Sequence, residues 1–85
     1  IEATDLLFAY PNPAKEAFVL EFYETFGEEV RMDIISSSGM ILSTTVLPED
    51  IEREEMDISA LLPGVYFIRV RYGKNDIKLL KLTKH

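Results

Sequence analysis

The pattern that most limits this chain is alternation. Between Val65 and Tyr72, the residues Tyr66, Ile68, Val70 and Tyr72 share one parity while Val65, Phe67, Arg69 and Arg71 share the other. Side chains repeating every second residue line one face of a pleated strand, and they cannot line one face of a helix. The pattern recurs along the chain. Phe18, Leu20 and Phe22 alternate with Val19 and Glu21, Val30, Met32 and Ile34 alternate with Arg31 and Asp33, and Met40, Leu42 and Val46 fall on one parity. In the last run Ile77 and Leu79 give way to Leu80 and Leu82 on the other parity, which requires a bulge or burial on both faces.

Turn-forming residues fall between these runs. Pro11 and Pro13 follow Leu6 to Tyr10, Phe26-Gly27 closes the second run, and Ser36-Ser37-Ser38-Gly39 separates the third from the fourth; Pro48 to Asp50, Pro63-Gly64 and Gly73 to Asn75 complete the set. The expectation is seven strands at about 5–10, 17–23, 29–36, 40–47, 51–58, 64–72 and 76–83. Such short strands joined by tight turns predict an all-β fold, a seven-stranded antiparallel immunoglobulin-like β-sandwich. Glu49 to Leu62 holds helix-forming residues, but Ile51, Met56 and Ile58 give no sustained stripe at helical spacing, so only a short 3₁₀ or helical turn at Ser59 to Leu62 competes.

The chain has 85 residues, enough for one core and not for two. At 47% hydrophobic and 28% charged it has the composition of a folded domain rather than of a disordered segment. Its apolar runs fall short of the roughly 20 residues that cross a bilayer, and Ile1 is not followed by a charged and then an apolar region. The expectation is therefore a chain that neither spans a membrane nor carries its own export signal. With no cysteine there is no disulfide framework and no thiolate chemistry.

A net charge of −6 excludes nucleic acid as a partner, because phosphate binding draws on clustered Lys and Arg. The charge is also unevenly placed. Up to Asp57 there are 14 acidic and 3 basic residues, whereas from Ile58 onward there is 1 acidic residue against 6 basic ones. The last third is a basic element on an acidic body.

No residue set supports catalysis. His85 is the single histidine and it is terminal, where side chains are mobile. Ser36 to Ser38 lack both the strand-elbow-helix setting of an activated serine and a base to deprotonate it, so they read as a polar hairpin turn. The acidic cluster from Glu49 to Asp57 is the one place a hard cation could bind, but alternation puts Glu52 and Glu54 on one face and Glu55 and Asp57 on the other, which disperses the ligands. We expect no enzyme, no metal, no cofactor and no small-molecule substrate.

Three stretches together carry a resemblance: "YPNPAKEAFVLEF" (Tyr10 to Phe22), "VRMDIISSSGM" (Val30 to Met40) and "MDISALLPGVYFIRVRYGKNDIKLLKL" (Met56 to Leu82). In this order they resemble the type A C-terminal sorting domain of the type IX, or Por, secretion system. In that family a Y-P-N-P opening precedes a strand, a mid-domain strand leads to a turn with glycine, then comes I-x-x-L-x-x-G-x-Y-x-x-x-V and a lysine-bearing last strand. Tyr10, Pro11, Asn12 and Pro13 match the opening, Gly39 the turn, Ile58, Leu61, Gly64, Tyr66 and Val70 the central motif, and Lys78 and Lys81 the last strand. The chain departs from the pattern in its serine-rich turn before Gly39 and in Met40, where a cation is common in the family. The similarity covers about Tyr10 to Lys84, with residues 1–9 expected to be the end of a linker and the first strand of the same domain.

The matched residues also have structural readings of their own. Asn12 between two prolines makes a stiff corner, Gly64 after Pro63 opens the last hairpin with positive φ or a close backbone approach, and Tyr66 buries its ring. Lys78 and Lys81 admit two compatible readings: lysines that discourage edge-to-edge pairing of a terminal strand, or a basic patch that another protein reads by charge or by strand addition.

The resemblance implies a folded signal that takes an upstream cargo from the periplasm across the outer membrane of a Gram-negative bacterium to the cell surface or the medium. It implies translocon or shuttle proteins as partners, and a sortase-type peptidase that usually removes the signal. The terminal hairpin, with Arg69, Arg71, Lys78, Lys81 and Lys84, is the expected recognition element, and free strand edges leave room for self-association. The alternative is an immunoglobulin-like or fibronectin-like spacer or adhesive module of a surface protein, which needs the same core and edges.

Overall fold

The alternating runs form strands that assemble into two antiparallel sheets in a computed structural model describing all residues from Ile1 to His85. The strands are β1 (Glu2–Ala3), β2 (Leu7–Tyr10), β3 (Ala17–Phe22), β4 (Val30–Ser36), β5 (Ile41–Leu47), β6 (Arg53–Asp57), β7 (Gly64–Tyr72) and β8 (Asp76–Lys84). One sheet has the order β1-β2-β3-β6 and the other β5-β4-β7-β8. The chain is thus an all-β sandwich with eight strands rather than seven. The added strand is β1, whose Glu2 and Ala3 pair with Ala9 and Phe8 across a tight turn. Thr4 makes that turn, its Oγ1 accepting the amides of Leu6 at 3.1 Å and Leu7 at 3.3 Å. Two residues are too few to show alternation, so this strand left no pattern in the sequence.

The core lies where the inward parities of the two sheets meet. Phe18 and Leu20 of β3, Val30, Met32 and Ile34 of β4, Ile68 and Val70 of β7, and Leu80 and Leu82 of β8 are all buried there. Each such side chain taken out of water stabilises the fold by roughly 1.5–3 kcal/mol. At one end Phe22 meets Phe26 edge-on at 5.4 Å, and Phe26 stacks on Tyr72 at 4.7 Å, so the β3–β4 loop closes the sandwich with aromatic rings.

Two strands differ from their sequence pattern. The β7–β8 register runs unbroken from Gly64 opposite Lys84 to Tyr72 opposite Asp76, so β8 has no bulge. Leu80 and Leu82 enter the core while Ile77 and Leu79 stay exposed on the outer face. In β5 the partner of Ile34 is Ser43 and that of Ile35 is Ile41, which leaves Leu42 as the extra residue of a bulge. Met40, Ile41, Leu42 and Val46 are exposed, and only Leu47 of this strand is buried. The serine-rich turn leading into β5 closes on Gly39, whose φ of 92° is comfortable for glycine alone.

The segment from Ile58 to Leu62 is a single hydrogen-bonded turn, Leu61 N donating to Ile58 O at 3.0 Å, and no helix forms. Asp57 nucleates it by accepting the Ser59 amide at 2.8 Å. This turn carries the chain from β6 in one sheet to β7 in the other.

Candidate functional site

The basic residues of the last third sit on β7 and β8, and the register sorts them into three environments. Parity decides the sorting, because even-numbered residues of these strands point to the core and odd-numbered ones to the outer face.

Lys84 is even and buried. Its Nζ donates to Ile58 O at 2.8 Å and to Ser59 O at 3.3 Å, so the ammonium serves the turn between β6 and β7. Lys84 therefore contributes no solvent-facing charge to the hairpin. The central motif gathers around the same turn. Ile58 is buried, Leu61 packs against the core, Val70 is fully buried, and the hydroxyl of buried Tyr66 donates to Leu62 O. These residues and Lys84 form one clasp that fixes where the last hairpin starts and where it ends.

Lys78 is also even, but it lies at the seam between the sheets. Its Nζ reaches Asp5 Oδ1 at 2.9 Å. That hydrogen bond holds Asp5 below the usual carboxylate range and Lys78 above the usual lysine range.

Arg69, Arg71 and Lys81 are odd and belong to the outer face. Three cross-strand rows describe this face. The first runs Val46, Arg31, Arg71, Ile77; the second Thr44, Asp33, Arg69, Leu79; the third Ile41, Ile35, Phe67, Lys81. At its centre Asp33 is fully buried although it stands on the outward side of β4. Thr44 Oγ1 donates to its Oδ1 at 2.6 Å, Arg69 Nε to its Oδ2 at 2.8 Å, and Arg71 Nη2 to its Oδ1 at 3.2 Å. Arg71 Nε lies 2.9 Å from Oδ2 but off-line, so that contact is Coulombic. Burial alone would raise the Asp33 pKa, and the hydrogen bonds from Thr44, Arg69 and Arg71 outweigh it, so the carboxyl is held below its usual range. The two arginines are thereby tethered as a half-exposed pair. Lys81 is exposed and forms no ion pair.

The Y-P-N-P corner meets β8 from the side. Asn12 Nδ2 donates to Lys81 O at 2.8 Å and its Oδ1 accepts the Thr83 amide at 3.0 Å. Ala14 continues the pairing, with its amide donating to Thr83 O and its carbonyl accepting from His85 N, both at 2.8 Å. An asparagine side chain thus stands in for a strand residue and covers the C-terminal half of the β8 edge. Tyr10 is held on the neighbouring outer face by its hydroxyl, which donates to Glu21 Oε1 at 2.5 Å. Pro11 and Pro13 both follow cis peptide bonds.

Sequence reasoning left out Asp33, which organises the cations of the outer face. Its signal was the outward parity that it shares with Arg69 and Arg71, and only strand adjacency turns that parity into contact.

The arrangement is a small all-β sandwich whose final hairpin presents a basic, partly apolar outer face. The family model for the "Secretion system C-terminal sorting domain" matches residues 8–83, and the chain belongs to this type IX secretion family. Comparison with curated proteins and with solved structures gave no match. The family is a targeting signal rather than a catalytic domain, and it directs export across the outer membrane, to the cell surface or the medium, by the type IX machinery.

Proposed function

We propose that this chain is a folded address: it accompanies a cargo through the periplasm, is read there by a translocon or shuttle protein, and is then cut from the cargo by a sortase-type peptidase at the cell surface. Residues 1–9 are where the linker from the cargo passes into the fold. The family match over residues 8–83 carries this reading. It is supported by a last hairpin that is paired along its whole length and offers charge without catalytic groups.

Within that hairpin, the exposed ammonium of Lys81 and the half-exposed guanidiniums of Arg69 and Arg71 are the groups a partner meets first. Lys78 acts at the seam through its ion pair with Asp5, and Lys84 acts from inside by holding the hairpin against the β6–β7 turn. Tyr10, Pro11, Asn12, Pro13, Gly39, Ile58, Leu61, Gly64, Tyr66 and Val70 support the surface rather than form it.

The test is a reporter carrying a periplasmic export signal and this 85-residue chain at its C-terminus, expressed in a host with the machinery. The reporter is expected at the cell surface or in the medium, shortened by about the mass of the domain. A reporter that stays in the periplasm refutes the sorting role. One that is exported at full length refutes the cleavage step alone.

A further inference from the structure

The outer face of the β5-β4-β7-β8 sheet carries more exposed apolar surface than a solvated sheet needs. Leu79 is 56% exposed, Ile77 55%, Ile41 52% and Val46 47%, and they border the face on its two outer strands. Alternation normally gives polar side chains to the outward row of an antiparallel strand. Here the outward rows of β5 and β8 are largely aliphatic, and the polar residues lie between them. The face is thus two exposed aliphatic strips flanking a charged centre, the mix of apolar and cationic side chains that a protein partner covers.

The charge of the same face says what covers it. Its cross-strand rows hold Arg31, Arg69, Arg71 and Lys81 against one carboxylate, Asp33, and at the end near Arg31 and Arg71 the carboxylates of Glu29 and Asp76 are joined by Lys74. Asp33 is consumed by Arg69 and Arg71. Arg31 is exposed, has no ion-pair partner and stands directly opposite Arg71, a like-charge pair that costs stability in the isolated domain. The excess is positive on a chain whose net charge is −6. A second copy is a poor occupant, since two-fold pairing of this face would set cations against cations. Strand addition at β8 is also restricted, because Asn12 and Ala14 already occupy that edge from Lys81 to His85.

We propose that this face docks on an acidic, aliphatic-lined surface of one protein of the export machinery, whose carboxylates meet Arg31 and Lys81 while its apolar side chains cover Leu79, Ile77 and Val46. The inference rests on the sorting role and adds to it the recognising surface, a sheet face that includes β5 and extends well beyond the terminal lysines. The Asp33 cluster presets the face: it tethers two arginines, so that their ordering does not have to happen on docking.

The test compares variants of the 85-residue chain behind two unrelated periplasm-targeted reporters. One pair of changes reverses charge (Arg31→Glu with Lys81→Glu), one removes apolar cover (Ile77→Ser with Leu79→Ser), Arg31→Lys conserves charge, and Glu55→Lys alters the opposite outer face. All positions are exposed, so each purified variant is expected to keep the thermal unfolding profile of the native chain. Both face pairs are expected to lower the exported fraction at least about tenfold, with Arg31→Lys and Glu55→Lys near the native level. If the native fusion is exported and the face variants follow it equally, the docking face is refuted and the sorting role stands. If the native fusion itself stays behind, the sorting role falls and takes this inference with it. An effect seen with only one reporter assigns the face to the cargo and overturns the proposal. A native chain that sediments as a dimer, dissolved by Leu79→Ser, assigns it to a second copy and overturns the proposal as well.

Discussion

At the scale of single residues, two charged groups act from inside the fold. Lys84 satisfies two turn carbonyls, and Lys84→Met keeps the aliphatic stem while leaving those carbonyls without a donor. The expected cost is about 1–3 kcal/mol, read by chemical denaturation. Asp33 neutralises two arginines that would otherwise repel, and Asp33→Asn is expected to cost about 1–3 kcal/mol at neutral pH. The pH dependence has a definite sign. Because folding lowers the Asp33 pKa, its stabilisation is fully present above the unfolded carboxylate pKa of about 4 and is lost as pH falls through the lower folded value. Melting temperatures of native and Asp33→Asn chains should therefore differ near neutrality, with the gap narrowing as pH falls below the unfolded carboxylate value; a constant gap would contradict the account. Lys84 was legible in principle, since it shares the parity of Leu80 and Leu82, but its charge placed it with the basic surface of the last hairpin instead. Asp33 was not, because parity tells which face a residue takes and says nothing about its neighbours on the next strand.

Among the elements, β8 has an open edge, and the Y-P-N-P corner covers its C-terminal half. Asn12 replaces a missing strand along the C-terminal half of its edge. Asn12→Ala is expected to speed hydrogen exchange at the Thr83 amide and to cost about 1–2 kcal/mol. It should also raise concentration-dependent self-association, because an uncovered edge is a template for pairing; unchanged exchange at Thr83 would show that the corner does not guard the edge. Seven of the eight strands were readable from alternation and from the turns at Pro11, Gly27, Gly39, Pro48, Pro63 and Gly73. What alternation could not tell was which row of β5 and β8 faces inward when both parities carry apolar residues. The bulge at Leu42 and the opposing sheet decide that, and both are tertiary facts.

For the whole molecule, the two sheets divide the work. The β1-β2-β3-β6 sheet and the loops carry most of the acidic residues, while the β5-β4-β7-β8 sheet concentrates cations and exposed aliphatic side chains on one face. On this account the signal is a surface assembled by folding from β4, β5, β7 and β8, and no stretch of sequence carries it alone. The most direct measurement is the export of a reporter fused to the chain with Ile68→Asp, which puts a carboxylate into the fully buried centre of β7 while leaving every outer-face residue unchanged. With unfolding confirmed by circular dichroism, export is predicted to fall to the level of a reporter without the domain; export at the native level would show that a linear segment, and not the sandwich, is what the machinery reads.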